Sequence, residues 1–276
     1  MREREKAEYK GTELVPTEQL AELSLLTDNQ WIFDVAVERL DRIREEIEGP
    51  YWIRSAVGTF RGASVVVTRY GASLLPVLLE ELLRKGARVL VKIGLGVYLV
   101  QGRPQLVLCV GAARFDRSLD AYYSPEAPAI ASFKLAIEVA ESLEALGVDY
   151  EEEVVLSVGA PIRNLEEICR TSASTVIRRL GITTIDVDTA ALYLTVRAKK
   201  AKAVSLVIPA FSIGEVSAIG LWTNARPDEK DERYVESVVE GALEGLRRFK
   251  ERALVGVRLK RLSTPRENNI EEENER

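Results

Sequence analysis

A chain of 276 residues, 46% apolar and 29% charged, has enough hydrophobic material for a full core and enough charge for a wetted surface. Its formal net charge of -5 argues against a basic face for duplex nucleic acid, and no apolar run reaches the length of a membrane span. Histidine is absent and the two cysteines are Cys109 and Cys169; that excludes Ser-His-Asp and Cys-His catalysis, histidine metal sites and a disulfide scaffold.

The opening MREREKAEYK is charged and precedes no apolar core, which is unlike a secretory signal and points to a cytoplasmic protein. Scarce Met and Cys beside abundant Arg and Glu fit a thermophile. Thr27 or Asp28 is placed to cap a first helix on which Ile32, Ala36, Leu40, Ile43 and Ile47 share a face, with Gly49-Pro50 as the stop. The valine-rich run from Ala63 to Thr68 reads as a buried strand. A helix follows, with Ser73 as cap, Pro76 in its first turn, Leu75, Leu78, Leu79, Leu82 and Leu83 on one face and Gly86 at its end.

Arg88 to Ile93 and Leu106 to Val110 read as strands, the second burying Cys109 as a packing residue. Between them Gly94-Leu95-Gly96 lacks the third glycine of a dinucleotide loop, since Leu99 stands there, so turn glycines are expected. Residues 131–146 form a helix closed by Gly147, and Val154 to Val158 a strand. A helix from Leu165 to Leu180 ends at Gly181; a strand from Thr184 to Val187 runs directly into the helix AALYLTVRAKK. Ala203 to Ile208 is a further strand, and Asp228 caps a last helix with Val235, Val238, Val239, Ala242, Leu246 and Phe249 inward. The polar tail from Ser263 is too poor in apolar residues to fold by itself. One domain over residues 1–262 and a tail over 263–276 follow. The alternation predicts an α/β layered domain with the strands near 64–68, 88–93, 106–110, 154–158 and 203–208 in one sheet.

Four segments, GTFRGASVVVTRYGAS, LLEELLRKGARVLVKIGLG, AYYSPEAPAIASFKLA and GITTIDVDTAALY, resemble in their order and spacing successive blocks of the nucleoside phosphorylase family, over about residues 55–210. The resemblance implies a three-layer α/β/α fold around a mixed, partly barrel-like sheet. It implies cleavage of the N-glycosidic bond of a nucleoside, with phosphate as co-substrate in the phosphorylases and water in the sister nucleosidases. No other cofactor and no metal are implied. It further implies a homo-oligomer, a dimer or a ring of dimers, with pockets near the subunit boundaries.

The family's phosphate-binding Arg-x-Gly-Thr becomes Lys92-Ile93-Gly94-Leu95, in which Lys92 keeps the charge without the guanidinium fork and Leu95 removes the hydroxyl. The Ser-Thr-Gly-Ile-Gly loop becomes Val67-Thr68-Arg69-Tyr70-Gly71; Arg69 is either a phosphate contact or a solvated loop residue. The Gly-Asp-Pro loop and its arginine become Thr27-Asp28-Asn29-Gln30-Trp31, where only the aspartate matches, and it reads best as the helix cap. Val-Glu-Met-Glu-Ala-Ala-Ala-Leu-Tyr becomes the run Ile185 to Tyr193, so the resemblance gives Asp188, with Thr68 and Val187, to the ribose. A carboxylate accepts from two neighbouring hydroxyls; the alternative is that Asp188 caps the following helix.

The aspartate that assists departure of a purine is missing from Ile208-Pro209-Ala210, which favours a uridine-type member, with Arg163 as base-binding residue and Glu166 and Glu167 on the surface. No histidine is available to lend to a neighbouring subunit, and no catalytic acid is identified. The leading expectation is a divergent nucleoside phosphorylase, a pentosyltransferase. The alternatives are a catalytically impaired nucleoside-binding relative, such as a structural subunit beside a paralogue, and a phosphate-independent nucleosidase.

Overall fold

The computed structural model describes residues 14–15, 21–71, 74–99, 105–115, 118–158, 177, 179–212 and 229–263. Strand β1 (Leu23–Thr27) is buried along its whole length. Helix α1 (Gln30–Glu38) follows at once, capped by Asn29, whose side chain accepts from the amides of Trp31 and Ile32. The cap is therefore neither Thr27 nor Asp28, and the helix is shorter than the sequence suggests.

The segment expected to prolong it is strand β2 (Arg42–Glu48), paired antiparallel with β3 (Arg54–Phe60). Ile43 and Ile47 have helical spacing, but pairing with β3 overrides it. Gly58 lets the two backbones close, since a Cβ there would run into the Arg42 carbonyl. The charges of RIREEIE suit an outer strand, where they discourage pairing with another chain. β3 returns as β4 (Ala63–Arg69) over the two-residue loop Arg61-Gly62, both with positive φ, the conformation a tight hairpin needs.

Helix α2 (Leu75–Arg84) buries its five predicted leucines; Ser73 lies outside the described residues. Strand β5 (Val89–Tyr98) runs straight through Gly94-Leu95-Gly96. These are strand glycines, not turn glycines. A Cβ on Gly96 would collide with Val207 Cγ1 and lie 2.9 Å from the Ile185 carbonyl, so the missing side chain lets flanking strands approach. The remaining elements are β6 (Val107–Arg114), β7 (Ala129–Ile130), α3 (Phe133–Ala145), β8 (Glu151–Ser157), β9 (Thr184–Asp186), α4 (Thr189–Ala198), β10 (Lys202–Ser212) and α5 (Glu229–Ser263).

The sheet order is β10-β6-β8-β9-β5-β1-β4-β3-β2, and β10 also pairs with β5. That extra pairing closes β5, β10, β6, β8 and β9 into a barrel, from which β1, β4, β3 and β2 extend. Pairing is mixed: β1 lies parallel to β4 and β5, whereas β9 lies antiparallel to β5. All five predicted strands share this sheet. One core cluster joins the sheet to residues of α1, α3 and α5, and a second joins it to α2 and α4. This is the expected three-layer α/β/α arrangement with a partly barrel-like sheet.

The last helix buries Val235, Val238, Val239, Ala242 and Leu246 as its periodicity predicts. Gly241 and Gly245 bring it onto α3, where Cβ atoms would lie 2.7 Å from Leu143 Cδ2 and Val139 Cα. Cys109 is fully buried. Asp228, the residues after Ser263, and nearly all of the helix expected from Leu165 to Leu180 lie outside the described residues.

Candidate functional site

On one edge of β5 the parallel neighbour β1 stops, with Thr27 opposite Ile93. Further along the same strand antiparallel β9 takes over, with Ile185 opposite Val97. The chain leaving β1 supplies Asp28, the last residue of β9 is Asp186, and the chain leaving β9 supplies Asp188. All three are directed to the interval between the strand ends, where β5 presents Lys92. Polar groups collect where strand partners change, because backbone there is released from the ladder.

Lys92 Nζ lies 2.6 Å from Asp186 Oδ2, and the two side chains are 1% and 0% exposed. The lysine folds back beside Gly94, where a Cβ would come within 3.2 Å of Nζ and 3.5 Å of Asp28 Oδ1. Asp186 also accepts from the Thr189 amide, at 3.2 Å from Oδ2, and Thr189 Oγ1 touches Ser205 Oγ at 2.8 Å. Ser157 Oγ accepts from the Ala190 amide at 3.1 Å and donates to the Val187 carbonyl at 3.3 Å.

Asp186 and Ser157 thus satisfy the first amides of α4. Asp188 stands at the cap position but its side chain makes no capping bond. The capping alternative for Asp188 is thereby excluded, and its carboxylate is left for another task. Asp188 Oδ2 and Asp28 Oδ1 are both buried without a hydrogen-bond partner among the described residues. The Tyr70 hydroxyl, also buried, faces Asp188 and acts on its carboxyl as a hydrogen-bond donor, although the contact falls short of full hydrogen-bond geometry. Buried polar atoms are nearly always partnered; here Tyr70 and Asp188 face one another, and Asp28 Oδ1 is left without a hydrogen bond among the described residues.

The electrostatics agree. Burial pushes the Asp188 carboxyl up to about 7, against the pull of Lys92 and with the push of Asp28 and Asp186. Burial likewise raises Asp28 to about 6, opposed by Lys92 and its own backbone amide, reinforced by Asp186, and opposed also by Arg69. Burial alone would lower Lys92, but Asp186, then Asp28 and Asp188, more than reverse this and hold the ammonium above its ordinary value.

Of the residues singled out in the sequence, Lys92, Gly94 and Asp188 meet in this cluster. Arg69 stands at its margin, half-buried and close enough to act on Asp28; its Nη1 donates to the Trp52 carbonyl at 3.3 Å. Thr68 is buried, with its hydroxyl 3.0 Å from Ser55 Oγ. Val187 is buried and reaches the cluster through its backbone. Arg163, Glu166 and Glu167 lie outside the described residues.

No family model matches the sequence, and no curated protein matches it. Solved structures do match. Uridine phosphorylase from Vibrio fischeri ES114 has a TM-score of 0.69 at 23% identity, over 83% of this chain and 93% of that one. Purine nucleoside phosphorylase from Toxoplasma gondii, in complex with immucillin-H, has a TM-score of 0.73 at 14% identity, over 88% and 99%. A P. knowlesi homologue of P. falciparum PNP has a TM-score of 0.70 at 17% identity, over 90% and 97%. The chain has the nucleoside phosphorylase fold.

Within the nucleoside phosphorylase fold, sequence reasoning gave no site role to three members of the cluster, Asp186, Asp28 and Tyr70; Asp186 lay inside the matching run Ile185 to Tyr193. Asp28 had a signal, being the one residue matching the Gly-Asp-Pro loop, but its neighbours made a helix cap the simpler reading. Tyr70 had none, because an aromatic after a valine-rich strand reads as core, and Tyr70 is fully buried.

Proposed function

We propose that the chain binds a nucleoside at this cluster and breaks its N-glycosidic bond. The observation that carries the reading is the buried Asp188 carboxylate, which makes no capping bond at its helix start and whose Oδ2 has only the Tyr70 hydroxyl facing it, without full hydrogen-bond geometry, among the described residues. A sugar diol offers two donors at the spacing one carboxylate accepts, and bonding to the ionised form offsets the penalty of burying it. Thr68 and the Val187 backbone flank the sugar in this reading, and Arg163, outside the described residues, is the candidate for the base. Uridine-type substrates are favoured because Ala210 stands where a purine-assisting aspartate is expected.

In the phosphorolytic form of the reading, Lys92, Gly94 and Arg69 receive phosphate as co-substrate. Assembly belongs to it as well. Tyr51 and Trp52, 65% and 78% exposed, flank Arg69 through the Trp52 carbonyl and offer apolar surface for a second protomer to cover. Light scattering of the intact chain should therefore show a dimer or larger; a monomer at micromolar concentration would count against it.

The decisive test is titration calorimetry with uridine and inosine. Asp188→Ala should weaken binding roughly tenfold to a hundredfold, the worth of hydrogen bonds to a charged group. Unchanged binding would sink the assignment. A second reading, a nucleoside-binding protein without catalysis, is favoured by one observation: Lys92 Nζ already contacts Asp186. Saturable binding without release of base distinguishes it.

A further inference from the structure

We propose that Tyr70 is a positioning residue for the sugar-binding carboxylate: its buried hydroxyl donates to Asp188 Oδ2 and holds that carboxylate ionised and turned to receive a ligand. The inference rests on the nucleoside reading above for what Asp188 grips, and adds to it the residue that sets Asp188.

Tyr70 directly follows the last residue of β4. Its amide donates to the Thr27 carbonyl at 3.0 Å, which carries the β1–β4 pairing one residue past the strand and fixes where the side chain starts. The ring packs in the core cluster that joins the sheet to α2 and α4, and the residue is fully buried. Phenylalanine would serve that packing equally. The hydroxyl needs its own reason, because a buried polar group costs free energy unless it is bonded. The group it faces is Asp188. Tyr70 Oη and Asp188 Oδ2 are both buried, and neither makes another hydrogen bond among the described residues. Contacts of this kind tighten as a ligand is bound.

The charged groups around Asp188 are engaged elsewhere or carry the wrong sign. Lys92, from β5, lies 2.6 Å from Asp186 Oδ2. Asp186, at the end of β9, and Asp28, from beyond β1, are carboxylates that oppose ionisation of Asp188. Arg69 has its Nε buried without a bond and its Nη1 on the Trp52 carbonyl, and its charge is felt at Asp28. Consecutive residues at the end of β4 thus serve different carboxylates, Arg69 acting on Asp28 and Tyr70 on Asp188. Burial keeps the phenol protonated well beyond its ordinary range, so Tyr70 stays a donor while Asp188 titrates. An ionised carboxylate has about four acceptor sites. The Tyr70 bond takes one and leaves both oxygens able to receive sugar hydroxyls.

The test follows the Asp188 carboxyl by carbon NMR in the ligand-free protein, from about pH 5 to about pH 9, with Asp188→Asn to assign the signal. Tyr70→Phe keeps the ring and removes the donor. It should move the Asp188 midpoint up by about one pH unit, the lower end of what a hydrogen bond to a charged group is worth. Uridine binding by calorimetry should then be roughly fivefold weaker than in the parent at about pH 7 and nearly equal at about pH 8.5, since the shift only withholds the ionised form. A packing role alone would lower affinity alike at every pH and leave the midpoint in place, and that result overturns the proposal. In the unaltered protein, the Tyr70 ring carbon that bears the hydroxyl should titrate in step with Asp188. A signal that stays still across this range also overturns the proposal, without depending on a variant folding. If uridine does not bind at all, the nucleoside reading falls, and the two ligand-free titrations still decide whether Tyr70 sets Asp188.

Discussion

At the scale of single residues, the buried carboxylates cost the fold stability when ionised. An ordinary aspartate ionises near 3.8, whereas Asp188 in the fold is raised to about 7 by burial. The sign follows: the folded state holds the proton more tightly, so ionisation destabilises the fold from above the unfolded value, and the penalty is complete above the folded one. Asp188→Asn should therefore be more stable than the parent at about pH 8, by roughly 2–4 kcal/mol, and the gap should close near pH 4. Urea melts at the two pH values check this; equal midpoints at high pH would refute it. Lys92 makes the opposite case. Lys92→Met leaves the Asp186 carboxyl buried without its cationic partner, at a cost of about 3–5 kcal/mol, and adding Asp186→Asn should restore part of the loss. A double variant no better than the single one would show that the pair does not act through charge.

At the scale of elements, the same residues resist reading because two local explanations compete. Thr27 and Asp28 before an apolar helix look like the candidate caps. Asn29 takes the role because its extended backbone, φ -111 and ψ 131, aims its side-chain oxygen at two amides. Asn29→Ala should cost about 1 kcal/mol, measured by thermal or urea unfolding. Asp28→Asn, which touches no cap, should not share this loss. The β2 segment shows the same competition on a larger piece: Ile43 and Ile47 fit a helix until β3 offers a hydrogen-bonding edge. Gly96 is the converse, a residue whose demand comes wholly from neighbours. Gly96→Ala should destabilise by about 1–3 kcal/mol through overpacking against Val207 and the Ile185 carbonyl.

At the scale of the whole molecule, the barrel and the extended strands share β5, and the cluster lies where that strand changes partners. A ligand that supplies donors to Asp188 should stabilise the entire fold, because binding favours the native state. Uridine at about a hundred times its Kd should add roughly 2.7 kcal/mol, read as a shift of the unfolding midpoint. The same ligand should bind more weakly at about pH 5 than at about pH 8, since protonation of Asp188, raised to about 7, removes the acceptor. Affinity independent of pH across this range would separate Asp188 from the ligand.

The sequence by itself determined the layers. Valine runs such as 63–68 and leucine stripes such as Leu75 to Leu83 state their burial locally, and their alternation leaves few architectures. It also singled out Asp188 and Lys92, which the fold brings into one cluster, because each sits in a stretch whose neighbours resemble a known pattern. Only the tertiary structure decided what these groups do to one another. That Lys92 contacts Asp186, 94 positions away, and that Asp28 and Tyr70 come to Asp188 from far along the chain are facts of the tertiary fold, and it is that fold which sets Asp186 rather than Asp188 against the first amide of α4. Burial and charge act through space, and no periodicity along the chain records which distant oxygen will be left without a donor.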